Sequence, residues 1–358
     1  MTKISSSSPI ILPREIICEV LSYLPVKPVL RFKCVCQHWN AITQDFRFMC
    51  LHFKRIPFSI EPHTTHSNAT DKFHPLCSNG LILECATRPS HFPSSPNLRY
   101  RIRNPEMQHQ ILEIPDSEKP ILNMRIVVDP DKHVFKLLSV VYDELIGDQV
   151  FGYEILDLRN EENTYSWRTF NLPQQNRGET RIHNLVKRHT ASPIKLFIPS
   201  GTAYSICNAS ANSQIGIEIL DMVNDSYIGH TTLTTSYYTK DDFIYWKGKL
   251  SFAKIVKEEL HVLVLDVYKK QIKWADEKLI IKLPFLKELS VVQQIKPFGV
   301  DIANMLYFSW RNKESICSYD ITKGNVTTLK SDFKESRVLL FTRPCLFTFN
   351  GMQPLSSQ

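Results

Sequence analysis

The tetrapeptide Glu-Ile-Leu-Asp occurs at residues 154–157 and again at 218–221, and Leu-Val-Leu-Asp at 263–266 is a third version of it. Each is a short apolar run that ends on an acid, followed by polar turn residues and a second apolar run. The same unit is recognisable in Tyr100 to Pro115, Phe151 to Pro173, Gln214 to Leu233, Glu259 to Pro284 and Glu314 to Lys330. Anchored on Asn104, Asp157, Asp221, Asp266 and Asp320, the intervals are 53, 64, 45 and 54 residues. Short apolar runs bounded by turn formers read as β-strands. Further hairpins lie between the units, from Leu76 to Leu83 around Asn79-Gly80 and from Ile244 to Phe252 around Lys247-Gly248. Two hairpins per unit give four strands in about 50 residues, the spacing of a kelch-like propeller blade. Five such units are expected, with a sixth completed by Val338 to Phe349. A ring of blades also hides the sheet edges that a long open array would expose.

The first fifty-five residues follow a different period. Ile16, Ile17, Val20, Leu21 and Leu24 are spaced as one stripe of an α-helix, with Pro13 in its first turn and Arg14, Glu15, Glu19 and Ser22 on the wet side. Pro25 stops that helix. Pro28 opens a short second one carrying Val29, Leu30 and Phe32, and Val35, Trp39 and Ile42 continue as a third helical face. Three helices in about 35 residues cannot cover all of this apolar surface themselves, so part of it is expected to be covered by a partner. Cys34, Cys36 and His38 do not read as a metal site: on a helix, residues i and i+4 share a face and i+2 points away.

Leu12-Pro13-Arg14-Glu15-Ile16-Ile17, Glu19 to Lys27, and Leu30 to Trp39 together resemble the F-box of plant F-box proteins over its whole length. The resemblance implies docking to a small acidic Skp-type adaptor, which bridges to a cullin-RING ubiquitin ligase. By position it implies that Leu12, Pro13, Ile16, Leu21, Leu24, Pro25, Leu30, Val35 and Trp39 divide between the motif's own core and the adaptor interface. Pro28 stands where the family has a small polar cap residue. Downstream, Ser78-Asn79-Gly80-Leu81, Arg103-Asn104-Pro105 and Tyr165-Ser166-Trp167-Arg168 resemble motifs of the F-box-associated domain. That resemblance implies a propeller-like β domain that binds a target protein.

The reading is therefore an α+β multidomain chain: a small three-helix F-box at 11–53, then an all-β, propeller-like domain of five or six blades at 73–350. Residues 1–10 are expected to be a disordered N-terminus, 54–72 a linker rich in Pro, Ser, Thr and His, and 351–358 a tail. The formal charge of +7 resides mainly in the head, where eight Lys/Arg against three Asp/Glu leave +5, and so +2 for the other 303 residues. Such dispersed basicity suits an acidic protein partner better than nucleic acid, which needs a basic stripe interleaved with aromatics. Nine cysteines without framework spacing read as reduced thiols. No signal peptide and no membrane span is evident, which points to cytoplasm or nucleus.

A catalytic propeller is the first rival. It would need convergent ligands or a carboxylate pair. The twelve His residues show no metal spacing, no nucleophile elbow or phosphate loop occurs, and the recurring acids read as turn residues. No cofactor and no metal are expected. The second rival is a propeller scaffold unconnected to ubiquitin, which adaptor binding would distinguish. Tyr237, Tyr238, Trp246 and Trp310 are candidate target contacts, against the more ordinary role of core packing.

Overall fold

A computed structural model describes residues 12–56, 59–63, 74–78, 80–87, 98–107, 111–143, 150–159, 165–170, 172, 195–198, 201–209, 214–234, 242–268, 271–287, 295–301, 303–310, 315–330, 338–342 and 346. The expected N-terminal and C-terminal tails, Asn79, Tyr237 and Tyr238 lie outside these. The chain has four N-terminal helices followed by an all-β region. No helix among the described residues is long and apolar enough to cross a membrane.

The helices are α1 (Arg14–Ser22), α2 (Val26–Phe32), α3 (Gln37–Gln44) and α4 (Phe46–Arg55). Four helices replace the three expected. The fourth begins on Asp45, whose carboxylate accepts the Arg47 N–H at 2.8 Å as an N-cap. It carries Phe48, Met49, His52 and Phe53 inward, a helical spacing. Strand β1 (Ser59–His63) falls inside the segment expected to be a linker.

The remaining strands form consecutive antiparallel meanders. The first sheet is β2 (His74–Ser78), β3 (Leu81–Thr87), β4 (Leu98–Arg103) and β5 (Ile111–Glu113), and the second is β6 (Ile121–Asp129), β7 (Val134–Asp143), β8 (Val150–Asp157) and β9 (Arg168–Thr169). The third is β10 (Lys195–Phe197), β11 (Thr202–Ala209), β12 (Gln214–Asp221) and β13 (Ser226–Thr234). The fourth is β14 (Phe243–Trp246), β15 (Lys249–Val256) and β16 (Glu259–Tyr268), with β17 (Gln271–Trp274) and β18 (Leu279–Lys282) both paired to β16. The fifth is β19 (Ile295–Val300), β20 (Met305–Trp310), β21 (Ser315–Asp320) and β22 (Asn325–Lys330). β14 and β19 pair in parallel and join the last two meanders into one nine-stranded sheet. Gly299 permits this approach, since a Cβ there would meet the Tyr245 carbonyl oxygen at 2.9 Å.

The last strand corrects the expected sixth unit. Among the described residues β23 (Val338–Thr342) pairs with β1 in a two-stranded ribbon and completes no further four-stranded meander. Among the described residues no strand of the fifth sheet pairs with the first. The five repeat units of the sequence correspond to the third and fourth strands of the five meanders. Four of the five anchors sit where the third strand ends and shape the turn that follows. Asn104, Asp157, Asp221 and Asp320 accept backbone N–H groups two residues on, at 3.0, 2.9, 2.9 and 2.9 Å. Asp266 differs: it lies within β16 and pairs with Lys249.

Strand alternation stacks the sheets. On β7, Phe135 and Leu137 enter a core shared with the first sheet and the helices, whereas Val134, Leu138 and Val140 enter the core shared with the third sheet. On β12, Ile215, Ile217 and Ile219 face the fourth sheet and Leu220 faces the second. Ile244, Val262 and Val264 then pack on Leu306 and Phe308 of the fifth. The helical head shares the first of these cores. Phe46 stacks on Phe135 with ring centroids 6.4 Å apart, beneath the Arg159 guanidinium.

Because Phe135 belongs to head and sheet at once, Phe135→Ala is expected to cost about 3–5 kcal/mol. In urea the helical circular dichroism and the tryptophan fluorescence should shift together. Helices melting in a transition separate from the sheets would contradict a shared core.

Candidate functional site

The helical head divides its apolar residues between two faces. Ile17 and Leu21 of α1 point inward with Val26 and Val29 of α2, Ile42 of α3 and Phe48, Met49, Cys50 and Phe53 of α4. Leu24, Leu30, Phe32 and Trp39 are partly buried against that cluster, with Trp39 edge-on to Phe32 at 5.1 Å. The opposite face of α1 is bare. Ile16 and Val20 are 49 % and 58 % exposed, Tyr23 is 65 % exposed, and Leu12, ahead of the helix, is exposed as well. Residues 16, 20 and 23 follow the i, i+4 and i+3 spacing of a helix stripe.

The single stripe expected from the sequence is therefore two. Ile17, Leu21 and Leu24 hold the head together, whereas Ile16 and Val20 face outward. Of the nine candidate residues, Leu21 is buried and Leu24, Leu30 and Trp39 are half-buried. Leu12, Pro13, Ile16, Pro25 and Val35 are exposed. Val35 does not continue a third helix: it sits in the turn between α2 and α3 with Cys34, and Cys36 is the N-cap of α3. Pro28 does not open α2, which begins at Val26 behind Pro25 at the cap position, so Pro28 falls in its first turn. Val20 and Tyr23 complete the outward stripe and were not among the candidates. Their signal was the four- and seven-residue offset from Ile16.

Polar contacts lock this surface in place. Arg55 of α4 bonds Glu19 at 2.9 Å and the Ser22 hydroxyl at 2.5 Å, and its guanidinium lies 4.4 Å from the Tyr23 ring centroid. That hydrogen bond holds the Glu19 carboxyl below the usual carboxylate range. Arg14 bonds Asp45 at 2.6 Å, tying the start of α1 to the cap of α4. His52 is buried and its Nε2 donates to the Leu24 carbonyl at 2.9 Å, joining α4 to the α1–α2 turn. Lys27 and Arg31 are exposed on α2.

Elsewhere the site chemistry is sparse. Burial pushes the Cys50 and Cys207 thiols up to about 12, away from a reactive thiolate. Among the described residues no three His, Cys, Asp or Glu side chains are grouped to hold a metal. Cys18, Cys34, Cys36, Cys50, Cys85, Cys207 and Cys317 are free thiols. Of the aromatic target-contact candidates, Trp246 is buried in the core between the fourth and fifth sheets and Trp310 packs against it.

Residues 10–51 match the F-box domain family. In Arabidopsis thaliana, F-box protein At1g30790 is 22 % identical over 44 % of this chain and 48 % of its own length. F-box only protein 8 of the same plant is 32 % identical over 25 % of this chain and 30 % of its own. The chain thus spans about half, or less, of the length of these relatives. Among solved structures, the β-propeller domain of the Trilobed protease from Pyrococcus furiosus is 15 % identical, with a TM-score of 0.38 over 81 % of this chain and 96 % of that one. At the level of the family, an F-box supports a substrate-adaptor role in ubiquitin ligases that act through a Skp-type adaptor.

The buried imidazole makes the head sensitive to acid. Desolvation lowers the His52 pKa, partly opposed by the Leu24 bond, so folding holds the ring neutral. The unfolded chain takes up that proton below about pH 6.5. Stability from this residue is full above that pH and is lost as pH falls from there towards the lower folded value. Urea titrations at stepwise pH should show this slope in the wild type and a shallower one in His52→Gln. Equal slopes would refute it.

Proposed function

We propose that this chain is the target-recognition subunit of a Skp-cullin-F-box ubiquitin ligase. The observation that carries this reading is the exposed apolar stripe of Ile16, Val20 and Tyr23, with Leu12 exposed ahead of it, on a head whose inner core is already filled. A contiguous exposed apolar stripe on a small helical unit is an interaction surface. The net positive charge of the head suits an acidic adaptor. Leu12, Pro13, Ile16, Pro25 and Val35 meet the adaptor, with Val20 and Tyr23 added to them. Leu21 works from the core, and Leu24, Leu30 and Trp39 support the surface from beneath.

The β region receives the target protein. Its stacked four-strand meanders support a kelch-like, F-box-associated domain, with the ribbon of β1 and β23 tying the start of that region to its end. Catalysis is positional: a target held on the β region meets the ligase's conjugating enzyme at raised effective concentration. The chain itself is a non-catalytic receptor acting in cytoplasm or nucleus, without nucleic acid, cofactor or metal.

Ile16→Asp/Val20→Asp places two charges on the outward stripe and leaves the core untouched. Co-purification with a Skp-type adaptor is expected to fall at least about tenfold, the scale of a lost interface anchor. Thermal unfolding should stay close to wild type, since surface substitutions cost little. Leu21→Ala is the contrast: it should lower stability by about 2–5 kcal/mol. Full adaptor recovery by the folded double variant would overturn the proposal.

A further inference from the structure

The fourth sheet departs from the pattern of the others in three places that lie together. Its anchor Asp266 makes no turn and pairs with Lys249 across the strands. Its outermost strand is broken: β17 pairs with Leu265 to Tyr268 of β16, β18 pairs with Glu259 to Val262, and Ala275 to Lys278 bulge out between them. Ala275 still bonds the Val264 carbonyl at 2.9 Å, so the bulge is pinned on one side. Beside it opens a cavity of about 320 Å³. Buried Trp246 and Val264 line it with Ala275 and Leu279, together with the Lys249–Asp266 pair and exposed Lys247 and Glu277. That volume lies at the small end of ligand pockets and suits a single side chain.

The strand beside the cavity is open. Among the described residues β18 pairs only with β16, which leaves its other edge without a ladder. Leu279 and Ile280 on it are 44 % and 57 % exposed. Apolar residues on an unpaired edge form a template for an added strand. The charges select the occupant. Lys247, Lys257, Lys278 and Lys282 make no ion pair among the described residues, and the acids near them without a Lys or Arg partner there are Glu277 and Glu259, the latter bonded to His261. Lysines on an edge repel an identical edge, which disfavours a second copy of this chain, and attract an acidic strand.

We propose that the β18 edge and its cavity form the target-binding site, and that the occupant is an extended acidic segment of another protein. The segment adds a strand to β18 between Lys278 and Lys282 and places one apolar side chain in the cavity. This rests on the receptor reading above and names the class of target that reading leaves open.

The test pans a random dodecapeptide phage library against the full chain co-expressed with its adaptor. Peptides rich in Asp and Glu with apolar residues at alternate positions should be enriched. A fluorescent dodecapeptide from that pool should lose at least about tenfold in affinity with Lys278→Glu/Lys282→Glu, and likewise with Ile280→Asp. Both variants change exposed side chains and should recover the adaptor as wild type does. Absence of acidic enrichment, or full affinity in both variants, overturns the site. So does a concentration-dependent dimer in sedimentation that the same variants abolish, which would give the edge to a second copy. Acidic enrichment without adaptor recovery supports the site and defeats the ligase reading alone.

Discussion

The contact of Phe46 with Phe135 makes one object of the helical head and the β region. Phe46 also lies against His133, and Lys54 of α4 pairs with Asp131 in the same β6–β7 turn. The ion pair is solvent-exposed and adds little by itself. The apolar cluster decides the geometry, because it runs without interruption from Ile17 and Val29 through Phe48 and Phe53 to Leu137 and Leu156. A head joined only by a tether would be free to move against the sheets. Here the outward stripe of α1 and the second sheet keep a fixed relation, so whatever the β region holds stands at a set distance from whatever covers α1.

Rigidity passes along the sheets by two kinds of tie. The first is apolar interleaving, with each inner sheet buried on both faces by strand alternation. The second is a small set of polar bridges, of which Tyr153–Glu218 and Lys136–Met222 are buried. The Tyr153 hydroxyl donates to Glu218 at 2.7 Å between the second and third sheets. Lys136 reaches from β7 to the Met222 carbonyl and to Asp225 at 3.1 and 2.6 Å, and Arg168 bonds the same Asp225. Between the third and fourth sheets, Ile198 N–H donates to the Tyr245 hydroxyl at 2.8 Å. Apolar packing tolerates sliding, whereas a buried acceptor left without its donor is costly. These bridges therefore fix how far each sheet is offset from the next.

Much of this was legible in the sequence because the local rules agree with the tertiary outcome. The anchor residues mark strand ends in four of the five meanders, since an Asx side chain there satisfies the next turn's N–H groups. What failed did so for identifiable reasons. Adjacent Ile16 and Ile17 are consistent with one broad stripe or two narrow ones, and only the position of α4 decides between them. Helix α4 itself was missed because it mixes Arg47, His52, Lys54 and Arg55 with its apolar residues, and His52 turns inward to serve the Leu24 carbonyl. Ribbon β1–β23 pairs residues at opposite ends of the β region, Pro62 opposite Leu339, and no local pattern announces so distant a partner. Pro62 suits its place there, on an edge strand.

The fourth meander shows why departures from a repeat are informative. Wherever the anchor carboxylate caps its own turn, it is consumed by architecture. Asp266 is released from that duty because β16 runs two residues further, and its charge is met instead by Lys249. The longer strand needs a longer outer partner than one straight segment supplies, so the edge is divided and the bulge between the halves leaves space over Val264. A cavity and an open, lysine-flanked edge thus have one structural origin. Among the described residues the outer strands of the other sheets are also paired on one side only, so what sets this unit apart is the divided edge and the cavity beside it.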